Sequence, residues 1–151
     1  MAVPWRIVTP QSGADFTALY DLRWRLLRAP WHQPRGSERD AHDAAAVHAL
    51  ARHTNGELLG IARLHTLDAR TGQIRYMAVR PEWRGQGIGS ALLHWLETRA
   101  RERGLTALVL NARENSVDFY RRQGYHETGE GPTLFGTIRH RVMRKPLAPD
   151  A

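Results

Sequence analysis

The feature that most constrains this chain is a strand, a proline turn, a glycine loop and a helix in immediate succession. The segment reads Met77-Ala78-Val79-Arg80-Pro81-Glu82-Trp83-Arg84-Gly85-Gln86-Gly87-Ile88-Gly89, and an amphipathic stretch begins at Ser90. Glycines let a ligand approach the backbone closely, and the first turn of a helix offers unpaired N–H groups at the positive end of its dipole. The segment therefore predicts a loop that holds a phosphate, and a cofactor that carries a diphosphate is its natural ligand.

The glycine spacing argues against the two commonest phosphate loops. A P-loop needs Gly-x-x-x-x-Gly-Lys-Ser/Thr, but the single lysine of the chain is Lys145, far away near the C-terminus. The dinucleotide fingerprint Gly-x-Gly-x-x-Gly is not matched either, because Gly85, Gly87 and Gly89 fall on alternate positions. Nucleotide hydrolysis thereby loses its main support.

A second motif follows further along the chain. Residues 108–111 read as a buried strand, residues 112–123 predict a short helix, and Gly124 suits its left-handed cap. The segment ends in Phe119-Tyr120-Arg121-Arg122-Gln123-Gly124-Tyr125.

Together the two motifs resemble the GNAT superfamily of N-acetyltransferases. Residues 84–89 resemble its Arg/Gln-x-x-Gly-x-Gly/Ala signature, and residues 111–125 resemble its later motif, which ends in Phe/Leu-Tyr-x-x-x-Gly-Phe/Tyr. The resemblance covers at least residues 57–145. It implies an enzyme that transfers an acetyl group from acetyl-CoA to a primary amine by direct attack in a ternary complex.

The resemblance also implies which residues hold the cosubstrate. The glycine loop would wrap the pyrophosphate, the backbone of Met77 and Val79 would bind the pantetheine arm, and an N–H near Ala78 would face the developing oxyanion. The cofactor-binding residues implied are Met77, Ala78, Val79, Arg84, Gly85, Gln86, Gly87, Ile88, Gly89, Ser90, Asn111 and Asn115. Many relatives place an asparagine where this chain has Arg113, so a customary side-chain contact is in doubt.

Tyr120 is the predicted catalytic residue, because it matches the tyrosine that faces the thioester sulfur in many relatives. A phenol has a pKa near ~10 and a thiol one of about 8.5, so full proton transfer is uphill and a hydrogen bond to the departing thiolate is the expected contribution. The general base stays open. Some relatives carry a glutamate where this chain has Gln73, and the alternatives are His65, Glu57, a water chain or a partly deprotonated substrate.

The length and the pattern of elements predict one α/β domain over residues 1–151, with a GNAT-like mixed β-sheet flanked by helices. We expect a helix over residues 15–28, strands over residues 47–52, 58–67 and 74–79, and a turn at residues 129–132 between two closing strands. Cysteine is absent, and no histidine pair has a metal-site spacing with an acidic partner, so no metal is expected. No apolar run reaches signal-peptide or bilayer-spanning length, which predicts a cytoplasmic protein without membrane contact.

The formal net charge of +7 has two interpretations. Arginines can bind polyanions through counterion release, or they can decorate exposed helix faces, and coenzyme A itself carries several negative charges. Nucleic-acid binding is the less favoured function, and a catalytically inactive acyl-CoA-binding module is the other rival. The partner expected is a small-molecule or peptide amine, and a homodimer stays open.

The polar segment of residues 29–43 contains Glu38, Asp40 and Asp43, which stand out in a basic chain. One hypothesis is that these carboxylates attract a cationic amine acceptor. The alternative is a solvated loop of turn-forming aspartates.

Overall fold

The computed structural model describes residues 2–148, which form one seven-stranded sheet in the order β1-β2-β3-β4-β5-β7-β6. The strands are β1 (Trp5–Val8), β2 (Val47–His53), β3 (Leu58–Thr66), β4 (Thr71–Val79), β5 (Ala107–Arg113), β6 (His126–Leu134) and β7 (Ile138–Pro146). The helices are α1 (Gly13–Leu27), α2 (Ile88–Glu102) and α3 (Val117–Arg122). Neighbouring strands are antiparallel except β4 and β5, which are parallel. The predicted mixed sheet flanked by helices is confirmed.

The helices bury apolar side chains on both faces of the sheet. Leu92, Leu93 and Leu96 of α2 join the larger core, where α3 adds Val117. On the other face Leu19 and Leu22 of α1 pack onto Leu50 and Ile61 in a smaller core. Helix α1 starts where Ser12 accepts a hydrogen bond from the Asp15 N–H at 3.2 Å, a usual N-cap.

The parallel pair β4 and β5 comes apart after four residues. Pairing runs from Thr71 with Ala107 to Ile74 with Leu110 and then stops, whereas β4 remains paired with β3 through Val79. The backbone edge of residues 75–79 that faces β5 is therefore unpaired. The sheet opens there into a wedge that reaches both of its faces.

A β-bulge lies on β4 beside this wedge. The register with β3 shifts between Ile61 and Arg63, and Tyr76, which lies opposite this shift, has φ +56°. A left-handed backbone is uncommon for a bulky residue, and bulges of this kind redirect a strand. The shift places Ala78 on the α1 face of the sheet and Met77 and Val79 on the α2 face.

Two predicted boundaries were wrong. Residues 112 and 113 belong to β5 and not to the following helix, because they pair with Arg141 and His140 of β7; α3 begins only at Val117, after a 3-10 turn. The predicted turn at residues 129–132 lies inside β6, where two register shifts accommodate its glycines and proline. The actual turn centres on Phe135 and Gly136, both with positive φ, which is typical of a type I′ hairpin.

Candidate active site

A cleft of about 830 Å³ occupies the wedge between β4 and β5. Twelve of the thirteen predicted site residues line it: Met77, Ala78, Val79, Arg84, Gly85, Gly87, Ile88, Gly89, Ser90, Asn111, Asn115 and Tyr120. Gln86 is exposed in the loop and does not line the cleft. The two sequence motifs, which lie apart in the chain, therefore meet at one cavity.

The glycine loop has the geometry of an anion-binding site. Gly85 and Gly87 adopt φ +77° and +89°, and a Cβ at either would meet nothing within 4 Å. Gly89 is different: its backbone is ordinary, but a Cβ would lie 3.2 Å from the Phe119 ring. Among the described residues no acceptor bonds the N–H groups of residues 85–90, and the first turn of α2 contains no acidic residue. These amides can therefore bind a phosphate.

On β4 the backbone N–H groups of Ala78 and Val79 point in opposite directions. The Arg80 N–H donates to the Leu59 carbonyl of β3 at 2.8 Å, and donors two residues apart in a strand point the same way. The Ala78 N–H therefore points towards β3, and the Val79 N–H points into the wedge. The Val79 carbonyl accepts from Arg84 Nε at 3.2 Å. The oxyanion donor was expected near Ala78, and of the N–H groups of Ala78 and Val79 it is that of Val79 that points into the wedge.

Tyr120 lies half-buried on α3, with its ring at right angles to its neighbours. Its centroid is 5.0 Å from that of Phe119 and 5.9 Å from that of Tyr125. Burial raises the pKa of Tyr120 to about 12, against the opposing charge of Arg113. Its hydroxyl has no hydrogen-bond partner within residues 2–148. The phenol can donate a hydrogen bond but is a weak proton source.

Neither of the candidate bases predicted from the sequence, His65 on β3 and Glu57 just before it, lines the cleft. The Nδ1 of His65 lies 3.1 Å from Arg63 Nη2 and accepts its hydrogen bond, while the His65 ring stacks on His42. Burial lowers the pKa of His65 to about 4, and the charge of Arg63 contributes to the shift. Glu57 forms an ion pair with Arg80 at 3.4 Å instead. Gln73 lines the cleft, but its amide cannot take a proton.

Of the three carboxylates in the polar segment, those of Asp40 and Asp43 are bound to arginines, whereas that of Glu38 accepts from the Gly36 N–H at 2.7 Å. Asp43 accepts from Arg23 at 2.9 Å and from Arg63 at 3.0 Å, and Asp40 accepts from Arg63 at 2.6 Å and Arg75 at 3.2 Å. Glu38 and Asp43 are buried, and none of the three carboxylates lines the cleft. The hypothesis that they attract a cationic amine is therefore wrong. The alternative is right about the turns, because Asp40 and Asp43 accept from the backbone N–H groups of His42 and Asp40, but the carboxylates of Glu38 and Asp43 are not solvated.

The model of the acetyltransferase (GNAT) family matches residues 16–125, which include the glycine loop, the wedge and Tyr120. This chain belongs to the GNAT acetyltransferase family.

Solved structures with the GNAT fold superpose on nearly the whole chain. An acyl-CoA N-acyltransferase from Pseudomonas aeruginosa is 24% identical, with 93% of this chain and 97% of that chain covered and a TM-score of 0.79. ElaA of Escherichia coli is 22% identical, with 93% of this chain and 97% of ElaA covered, and has a TM-score of 0.80. A GNAT family acetyltransferase from Elizabethkingia anophelis was solved with acetyl-CoA bound. It is 21% identical, with 95% of this chain and 99% of that chain covered, and has a TM-score of 0.77.

His140 also lines this GNAT cleft, although the sequence did not predict it as a site residue. His140 on β7 is buried, lines the cleft, and pairs with Arg113 on the α1 face of the sheet. Its Nδ1 lies 3.0 Å from the carbonyls of Pro132 and Ile138, and since carbonyls only accept, Nδ1 carries the proton. In this tautomer of the neutral ring, Nε2 is the nitrogen without a proton. No local motif marks His140, because only the pairing of β5 with β7 brings it to the site.

The described residues form neither a metal centre nor a membrane-spanning helix. Within residues 2–148 no three histidine, aspartate or glutamate side chains come together to hold a metal ion. Across the same residues no helix combines the length and apolar character needed to cross a bilayer.

Proposed function

We propose that this chain is an acetyl-CoA-dependent N-acetyltransferase that passes the acetyl group directly to a primary amine in a ternary complex. The observation that carries the proposal is the wedge between β4 and β5. Because pairing ends at Ile74 and Leu110, one cleft joins the α2 face, with the glycine loop, to the α1 face. Two substrates can then meet inside the sheet. The cytoplasmic location predicted from the sequence belongs to the same proposal.

The glycine loop fits a diphosphate ligand for two reasons. The N–H groups of residues 85–90 have no protein acceptor among the described residues, and the cleft lining includes no aspartate or glutamate that would repel phosphate. When bound, acetyl-CoA would supply an activated acetyl thioester, and the relative from Elizabethkingia anophelis carries that molecule. Arg84 and the amides of Gly87 to Ser90 would hold its phosphates.

The roles of the other residues follow from the direction of the backbone N–H groups and from which side-chain atoms carry a proton. N–H groups of Met77 and Val79 would donate to the thioester carbonyl and the pantetheine arm. Tyr120 would donate a hydrogen bond to the departing sulfur. We assign the base to His140, because its Nε2 makes no hydrogen bond with a described residue and its side chain lies on the α1 face, from which the amine would enter.

The test is a thiol-release assay with acetyl-CoA and a broad amine panel, with mass spectrometry to identify the acetylated product. Turnover of at least one amine supports the proposal. Tight binding of acetyl-CoA with no turnover on any amine favours an inactive acyl-CoA-binding module. Indifference to acetyl-CoA, with salt-dependent RNA or DNA binding, favours the nucleic-acid function.

His140→Asn tests the base in the same assay. We expect turnover near neutral pH to fall about a hundredfold, with the defect shrinking at high pH where the amine arrives deprotonated. The matched control is His126→Asn, an exposed histidine on β6 outside the cleft. A pH-independent loss would instead make His140 a packing residue.

A further inference from the structure

The charged side chains that line the cleft are positive. Five arginines line it: Arg28, Arg75, Arg84, Arg113 and Arg122. Among the described residues its lining includes no aspartate and no glutamate. Such a cavity attracts anions and repels cations, which the polar-segment hypothesis did not anticipate.

Three of the five arginines lie on the acceptor side. Arg75 on β4 and Arg113 on β5 project from the α1 face of the sheet, and Arg28 follows the last residue of α1. Arg84 and Arg122 belong to the glycine loop and α3, on the cofactor side. The phosphates of acetyl-CoA therefore account for part of the charge, and the acceptor side needs a separate explanation.

Two of these acceptor-side charges have no carboxylate partner. Arg75 is paired with Asp40, but neither Arg28 nor Arg113 has a carboxylate oxygen within 4.0 Å among the described residues. Arg28 donates only to the carbonyls of Ser37 (3.1 Å) and Leu27 (3.0 Å). The Arg113 guanidinium lies 4.6 Å from the Trp31 ring centroid and makes no hydrogen bond with a described residue.

Burial makes these two charges costly. It lowers the pKa of Arg113, and the charges of Arg84 and Arg28 lower it further. Burial also lowers the pKa of Arg28, against an opposing contribution from Tyr76. A desolvated cation without a counter-charge is stabilised when an anion binds beside it.

An aromatic contact lies beside the two arginines. Trp31, beyond the end of α1, stacks on Phe135 of the β6–β7 turn with centroids 6.2 Å apart. Arg28 lies 5.4 Å from the Phe135 ring and Arg113 lies against Trp31. The cleft that the two arginines line has a volume of about 830 Å³, which is in the range of small-molecule sites.

We propose that the acceptor is a small amine that also carries a carboxylate or a phosphate, and that Arg113 and Arg28 bind this anionic group. This inference rests on the proposed function. It names acceptors that carry an anionic group, which polyamines and aminoglycosides lack.

The experiment uses matched pairs of acceptors with the wild-type protein. An amino acid is compared with its amide, and an amino-alkyl phosphate is compared with its amino alcohol. A polyamine and an aminoglycoside are tested as cationic acceptors. We expect the anionic member of at least one pair to have a kcat/KM about tenfold to a hundredfold higher, as for a charged hydrogen bond. The pair that shows the preference distinguishes carboxylate from phosphate.

Arg113→Gln provides the residue-level test. It should raise the KM of the anionic acceptor about tenfold, leave its neutral counterpart unchanged, and leave the KM of acetyl-CoA unchanged. The matched control is Arg103→Gln, which removes the same charge from an exposed position at the end of α2. Calorimetry of the anionic amine with unacetylated coenzyme A present gives a second readout, and Arg28→Gln replaces Arg113→Gln if that variant does not fold.

The outcomes are distinct from failure of the proposed function. No turnover on any amine sinks the proposed function. Turnover that prefers neutral or cationic amines overturns only the acceptor class. A rise in the KM of acetyl-CoA in Arg113→Gln, with the acceptor KM unchanged, assigns Arg113 to the cofactor and also overturns the inference.

Discussion

At the scale of single residues, the site is defined by what each side chain or backbone angle permits. Tyr120 combines a hydroxyl without a described partner and a pKa raised by burial to about 12. It therefore stays protonated across the working pH range and, in the proposed reaction, would help the leaving sulfur by hydrogen bonding. Proton transfer would be even less favourable than an unperturbed phenol suggests.

Tyr120→Phe should therefore lower turnover by roughly tenfold, the lower part of a tenfold to few-hundredfold range, because it removes one donor and keeps the ring. Affinity for acetyl-CoA should change far less. Steady-state kinetics and calorimetry measure both, with Tyr20→Phe on α1 as the control. Wild-type turnover in a folded variant, with chemistry rate-limiting, would leave Tyr120 with a packing role only.

Gly87 is constrained by its backbone, because φ +89° is unfavourable for any residue with a Cβ. Gly87→Val should weaken acetyl-CoA binding at least tenfold, since the branched side chain disturbs the loop amides that hold the diphosphate. Gly56→Val is a matched control: its φ of +94° gives similar strain in a hairpin turn outside the cleft. Equal affinity in the two variants, measured by calorimetry, would argue that the loop does not bind the cofactor.

At the scale of elements, α2 is connected to the far half of the sheet by one buried ion pair. Glu97 of α2 accepts from Lys145 Nζ of β7 at 3.1 Å and from the Tyr125 hydroxyl at 2.9 Å. Lys145 also donates to the Gln123 carbonyl at 2.9 Å. The only lysine of the chain thus holds together three elements behind the cleft.

Lys145→Met should reduce the free energy of unfolding by about 3 kcal/mol, because it leaves the buried Glu97 carboxylate without its cation. The value is at the low end of the range for buried pairs because the side chain of Lys145 is 20% exposed. Urea unfolding measures the loss. Adding Glu97→Gln should restore most of the stability, and a double variant as unstable as the single one would contradict this explanation.

The segment between α1 and β2 makes stability depend on pH. Burial alone would raise the pKa of Asp40, but the hydrogen bond and charge of Arg63 lower it to about 2. That contribution to stability is complete above the ordinary carboxyl pKa and is lost as the pH falls towards about 2. The depressed pKa of His65, about 4, makes the unfolded state bind more protons between about 6.5 and 4.

We therefore expect the free energy of unfolding to fall as the pH drops from about 6.5 to 4, and further as it approaches 2. Urea titrations at fixed pH measure the slope. His65→Gln should flatten the upper part of this profile and leave the lower part. An unchanged profile would mean that His65 is not buried and neutral in the folded protein.

How far the sequence predicted these elements depends on whether the signal was local. The glycine loop and Tyr120 were predicted because each belongs to a short sequence motif. The extension of β5 through Arg113 was not, because it depends on pairing with β7, and β6 continued through glycines and a proline by bulging. His140, Arg28 and the arginine partners of Asp40 and Asp43 could not be predicted for the same reason, because strand order and the packing of α1 on the sheet bring them together.

At the scale of the whole molecule, the parallel ladder of β4 and β5 connects two unequal parts. Strands β1 to β4 lie on one side and β5 to β7 on the other, joined by four paired residues. Helix α2 covers the first part, packing on β1 to β4, and the Glu97 to Lys145 pair reaches across to the second. The larger core also spans both parts, so the cleft lies between parts that share few strand hydrogen bonds but one hydrophobic core.

The unpaired edge of β4 has a consequence for how the molecule exchanges with solvent. Backbone amides of residues 77–79 that face the wedge lack a strand partner, so they should exchange with deuterium much faster than those bonded to β3. A pantetheine arm contains amides of its own and can occupy the position of the missing strand. Saturating acetyl-CoA should then slow exchange selectively at Val79, making the cosubstrate a temporary part of the sheet that it enters.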